Sequence, residues 1–194
     1  MKIKTIMGSA LLAGTLTAQA GLGIGDAMVD ANVKMKNIDG SEVTLAGVKG
    51  EKGTLVIFTC NQCPFVEAWQ KTMVELGNTY SQKGFGVVFV NSNDPSAKGD
   101  TLENMKAMAK KEGYGFPYVQ DATSNVARNF GATKTPDVFL FDAADKLVYK
   151  GAVGEGGRSV GDEIWLKDAL DALLAGKPIA TSETKAIGCG IKFR

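Results

Sequence analysis

Histidine is absent from this 194-residue chain. That absence removes a Ser-His-Asp triad, a Cys-His nucleophile pair and a histidine-built metal site from consideration. Cysteine is scarce too, and three residues are too few for a disulfide scaffold. A zinc site would have to combine all three with a carboxylate, so no metal is expected. Charge is nearly balanced, with 22 Lys and Arg against 21 Asp and Glu. Such a balance supplies no field for nucleic acid or an anionic membrane surface, and neither is expected as a partner. Glycine is plentiful at 24 residues, yet two glycine-rich stretches fail as nucleotide loops. No strand precedes Gly21-Leu22-Gly23-Ile24-Gly25, which reads as a flexible start, and Gly154-Glu155-Gly156-Gly157 follows a hairpin rather than a β-α-β unit. No cofactor is expected.

Residues 1–20 read as a secretory leader. Lys2 and Lys4 give a basic start, Ile6 to Thr17 an apolar stretch too short to span a bilayer, and Ala18-Gln19-Ala20 a cleavage site. Cleavage after Ala20 and a periplasmic or secreted location are expected, with membrane contact only through an uncleaved leader. Loss of Lys2 and Lys4 moves the net charge from +1 to −1. The remaining chain shows no repeat or linker and is long enough for one domain with a proper core. Its expected extent is 21–180, followed by a tail, 181–194, packed on the domain. An oxidising compartment would permit disulfides.

The chemistry concentrates at Cys60-Asn61-Gln62-Cys63-Pro64. Thr54 to Thr59 is β-branched and aromatic and predicts a buried strand. Phe65, Trp69, Met73, Leu76 and Tyr80 recur at helical spacing and predict one face of a helix. A strand thus delivers two thiols to a helix N-terminus, where unpaired N–H groups favour a thiolate. A cysteine so placed can have its pKa lowered from about 8.5 to ~3.5–7.5.

The other elements follow by pattern. Short strands are expected at Val33–Ile38 and Glu42–Leu45 around an Asp39-Gly40 turn, and a second core strand at Phe85–Asn91. Asn93-Asp94-Pro95 reads as a turn. A helix is expected from near Asp100, with Met105 and Met108 as core filler and Gly113 as its stop. Phe116–Gln120, a short helix over Thr123–Phe130, and a hairpin of Asp137–Phe141 with Leu147–Lys150 come next. Gly151–Gly161 reads as a mobile loop, Asp162 as the cap of a last helix to Ala175, and the tail as irregular. This order specifies an α/β domain with a mixed central sheet and helices on both faces.

Phe58-Thr59-Cys60-Asn61-Gln62-Cys63-Pro64-Phe65-Val66, Thr135-Pro136-Asp137-Val138-Phe139-Leu140-Phe141-Asp142 and Gly188-Cys189-Gly190-Ile191-Lys192-Phe193 together resemble an exported thioredoxin-like branch of the redoxin superfamily (alkyl hydroperoxide reductase/thiol-specific antioxidant). The resemblance covers roughly residues 25–194 and implies a thioredoxin-like fold. It also implies a thiol–disulfide oxidoreductase acting on protein thiols or disulfides, small thiols or a redox partner protein. Cys60 takes the place of the attacking cysteine, Cys63 that of the resolving one, and Pro136 that of the cis-proline facing them. Thr135, Pro64 and Gly151, with the loop that Gly151 opens, are expected to form the recognition surface. Cys189 is a tail thiol held by simple burial, a partner in an intermolecular disulfide, or a third redox cysteine. The pattern departs from thioredoxins in its Asn61-Gln62 dipeptide, in lacking a tryptophan before Cys60, and in having Ile57 where a buried acid would stand; Glu67 is a candidate substitute. Two alternatives stay open. A peroxiredoxin-like peroxidase would use Cys63, whose Pro64 fits, although Val56 and Cys60 replace the family's proline and threonine. A non-catalytic protein would hold the pair as a buried structural disulfide.

Overall fold

A computed structural model describes residues 21–96 and 99–194; the expected leader lies outside the described residues. The domain is organised around β3 (Gly53–Phe58), all six residues of which are buried. Alternation sends Leu55 and Ile57 to one face of the sheet and Val56 and Phe58 to the other, so each side chain joins one of two separate cores. β4 (Phe85–Asn91) lies parallel to β3, and β7 (Asp137–Phe141) antiparallel on its other side. β1 (Met35–Asn37), β2 (Glu42–Val43), β5 (Tyr118–Gln120) and β8 (Leu147–Gly151) complete a 7-stranded sheet in the order β2-β1-β5-β4-β3-β7-β8. The sheet is mixed, as the element order requires.

On the Leu55 face pack α1 (Pro64–Ser81), α2 (Leu102–Glu112) and α4 (Trp165–Leu174), through Trp69 and Met73, Met105 and Ala109, and Leu166 and Leu170. On the Val56 face α3 (Asn125–Phe130) inserts Val126 and Phe130. Phe58, Phe130 and Phe139 meet edge to face at centroid distances of 5.4, 5.6 and 5.3 Å. Such geometry adds to the burial of each ring. α2 has the ends its letters announce: Thr101 accepts from the Asn104 N–H, and Gly113 closes the helix at φ 74°.

Four local expectations are corrected. The glycines opening the described chain are not a flexible start: Leu22 is buried and donates to the Phe130 carbonyl, and Gly25 donates to that of Leu147. The Gly151–Gly161 segment is a closed turn, with Glu155 donating to Glu163 O and Gly161 to Glu155 O at 2.8 Å each. Asp162 is not the cap: α4 begins later, after Ile164, with no side-chain cap. Finally, the tail is not irregular throughout: β9 (Cys189–Gly190) pairs antiparallel with β6 (Lys134–Thr135). Two-residue strands carry no readable periodicity.

Backbone meets backbone where β4 crosses the segment before β3. A Cβ on Gly86 would collide with the carbonyl oxygen of Val48, which cannot swing aside as a side chain would. Gly86→Ala is expected to cost about 1–3 kcal/mol, read as a lower urea midpoint at unchanged slope. Gly190→Ala, where a Cβ meets nothing, should stay within about 0.5 kcal/mol of wild type.

Candidate active site

β3 ends at Phe58 and the chain turns through Cys60 and Asn61 before α1 starts at Pro64. Cys63 is therefore the N-cap residue of α1, with extended backbone (φ −112°, ψ 123°) and its carbonyl already accepting from Glu67. Pro64 at the first helical position has no N–H to satisfy, and its φ suits a helix start. The thiols are nearly closed off, with Cys60 6 % and Cys63 3 % exposed. Opposite them stands Thr135, joined to Pro136 by a cis peptide. The Thr135 hydroxyl lies 3.2 Å from Cys60 Sγ, and its carbonyl oxygen 3.3 Å from Cys63 Sγ. Cys189 is the antiparallel register partner of Thr135, which brings its thiol and backbone N–H within hydrogen-bonding reach of Cys63. Three free thiols thus share one spot.

Their electrostatics are unequal. Cys63 is lowered below the ordinary thiol range, first by the Cys60 thiol hydrogen-bonding to it, then by Cys189 and the Val66 N–H, against the cost of burial. Cys60 is pushed far up by giving its proton to that bond, by burial and by the nearby Asp100 carboxylate, with Thr135 opposing. Burial and the Cys63 contact push Cys189 up to about 11. The helix N-terminus thus favours the anionic form at Cys63, the N-cap residue, more than at Cys60.

A network that sequence reading passed over positions the loop. Asp100, 1 % exposed, accepts from the Asn61 N–H at 2.8 Å and from the Asn91 and Asn93 side-chain amides at 2.9 Å each. Asn61 in turn donates to Gly99 O at 2.8 Å and accepts from the Tyr118 hydroxyl at 3.0 Å. The run of asparagines after β4 was its only signal, and a turn is what such letters ordinarily mean. A buried acid also exists, though not at Ile57. It is Asp137, one residue past Pro136, whose carboxyl burial pushes up to about 7.

Of the expected recognition residues, Thr135 and Pro136 are buried, and Gly151 lies beneath Thr184. Pro64 is exposed and borders a cleft of about 450 Å³ between the start of α1 and α2. Cys63 lines that cleft; Cys60, Thr135 and Pro136 are not among its walls. Glu67 sits on its rim, exposed. The turn after β8 does return to this end, where Arg158 lies over the Phe65 ring at 5.3 Å.

The family model for AhpC/TSA proteins matches residues 24–150. The chain belongs to the AhpC/TSA family. The curated relative "Thiol-disulfide oxidoreductase ResA" of Halalkalibacterium halodurans is 25 % identical over 117 residues, 60 % of this chain. The chain spans only 62 % of that relative's length. An uncharacterized conserved protein of Geobacillus kaustophilus has a crystal structure that superposes with a TM-score of 0.83 at 38 % identity, covering 89 % of this chain and 93 % of that one. At the level of fold alone, a thioredoxin domain from Bacteroides vulgatus matches with a TM-score of 0.57 at 21 % identity, over 76 % of this chain and 96 % of its own. The fold is thioredoxin-like.

The Asp137 carboxyl sets a pH dependence of stability. Folded, it keeps its proton to about pH 7 rather than losing it near 3.8. Between those values the folded state binds more protons than the unfolded, so this group makes stability fall as pH rises. Asp137→Asn should remove that component, worth up to about 4 kcal/mol across the window. Urea midpoints of wild type and variant at pH 5 and pH 8 measure it; parallel pH trends would refute the assignment.

Proposed function

We propose that the protein is an exported thiol–disulfide oxidoreductase whose working pair is Cys60 and Cys63. The observation that carries this reading is a pair of free thiols at the N-terminus of α1, both held against Thr135 of the cis Thr135–Pro136 peptide. In the reducing direction the Cys63 thiolate attacks one sulfur of a substrate disulfide. That bond breaks, and one substrate half leaves as a thiolate that takes up a proton. Cys60 then loses its proton and attacks Cys63 Sγ, expelling the second half. The substrate has gained two electrons and the protein holds a Cys60–Cys63 disulfide, which a partner dithiol must reduce. Oxidation of a substrate dithiol is the same sequence reversed. Pro136 faces the pair from a position with no N–H to compete for hydrogen bonds, and Cys189 is a reserve thiol able to attack Cys63 when Cys60 is missing.

The position of the thiolate also favours a second reading, since a Cys63 thiolate followed by Pro64 is what a peroxidase would require. Against it, Cys60 occupies the place where a threonine hydroxyl would orient the peroxide.

Alkylation by iodoacetamide should show the rate at Cys63 falling off only at a pH below that at which a free cysteine loses its reactivity. Cys63→Ser should lower mixed-disulfide formation at least ~100-fold, in keeping with loss of the nucleophile itself. The double variant Cys60→Ser/Cys189→Ser should accumulate that mixed disulfide. Full dithiol activity in Cys63→Ser would refute the assignment. Hydroperoxide turnover surviving Cys60→Ser would establish the peroxidase instead.

A further inference from the structure

An extended peptide can bind by adding a strand to an exposed sheet edge. Here the edge beside the thiols is taken by the chain's own tail. Lys134 pairs with Gly190 and Thr135 with Cys189, and Ile191 donates to Thr133 O at 3.0 Å. Beyond that point Lys192 donates to the Asn93 side chain at 2.8 Å and its carbonyl accepts from Asp94 at 2.7 Å. Arg194 N–H reaches Ser124 Oγ at 3.0 Å. On the near side, Gly188 lies so close that a Cβ would strike the Thr135 carbonyl. A partner strand would have to strip all of these contacts first.

What remains open is the cleft beside Cys63. Its volume, about 450 Å³, lies in the range of small-molecule sites. Its walls carry the side-chain amides of Gln62 and Gln70 and the apolar side chain of Met108. Charges of both signs line the two helices: Lys71 and Glu67 on α1, Lys111 and Glu112 on α2, with Lys111 paired to Glu112 at 2.9 Å and Lys71 to Glu75 at 3.8 Å in exposed pairs that a ligand can exchange. Cations that can meet carboxylates and a carboxylate that can meet an ammonium group describe a zwitterionic ligand.

We propose that the substrate of Cys63 is a short zwitterionic peptide disulfide bound in the cleft between α1 and α2, not an extended protein segment laid along Thr135–Pro136. The proposal rests on the dithiol reading and names its substrate class. The chemistry is the exchange already written: the reduced Cys60–Cys63 pair supplies two electrons, the peptide disulfide is cleaved, and two peptide thiols are released.

The test compares three probes with the full protein reduced by dithiothreitol and freed of it: oxidised glutathione, uncharged hydroxyethyl disulfide, and insulin. Oxidised glutathione should oxidise the pair at least tenfold faster than insulin. Lys71→Gln/Lys111→Gln alters side chains that are 87 % and 76 % exposed, so the fold is preserved. It should lower the ratio of the glutathione rate to the hydroxyethyl disulfide rate three- to tenfold, the scale expected of two exposed ion pairs, and 0.5 M salt should shrink the same ratio in wild type. An unchanged ratio in the variant, or insulin outpacing glutathione disulfide, would overturn the substrate class while leaving the dithiol intact. Failure of Cys63 to react with any of the three would instead defeat the dithiol reading.

Discussion

Thr135 touches all three cysteines. Its hydroxyl meets Cys60, its carbonyl meets Cys63, and its backbone pairs with Cys189. A residue 1 % exposed at the entry to β7 can do this only because β3 and β7 are hydrogen-bonded neighbours. The register Phe58 opposite Asp137 places the end of one strand against the start of the other. The tail, the cis peptide and the dithiol loop are thus held to a single point, and the inequality between the thiols follows from where each lies around it.

The inequality itself is a competition between solvation and charge. Removing a thiolate from water is costly, and both sulfurs are nearly closed off. Cys63 is compensated by the Val66 N–H, by the helix N-terminus and by two thiol neighbours. Cys60 has only the Thr135 hydroxyl on its side, with the Asp100 carboxylate close by against it. Asp100 therefore acts twice. It fixes Asn61 through a 2.8 Å hydrogen bond, and its charge disfavours a second anion next door.

Much of this was legible in the letters. The unbroken apolar run of β3, the four-and-three spacing of Phe65 to Tyr80 and the Thr101/Gly113 ends of α2 each have one good physical interpretation. The dithiol was legible for the same reason, whereas Thr135-Pro136 as its partner came from the family resemblance. Three features were not legible. The residue that caps α1 is decided by one turn of backbone, and it is Cys63. The convergence on Asp100 carries no periodic signal, since Asn61 reaches it across 39 positions and Asn91 and Asn93 reach it across 9 and 7 through an irregular loop. And β9 is two residues long, below the length at which alternation exists to be read.

The tail is where these omissions combine. Its contacts are individually modest, a two-residue ladder, one buried isoleucine and a few backbone bonds to side chains. They are nevertheless cooperative, because Asn93 accepts from Lys192 while donating to Asp100, which holds Asn61. One asparagine thus links the strap over the thiols to the loop that carries one of them. Loosening the tail would withdraw Cys189 from Cys63 and disturb the Asp100 network together, so the edge cannot be opened to a partner strand without also changing the charge on the nucleophile. The contacts that close this edge are therefore the same ones that hold the three thiols together around Thr135.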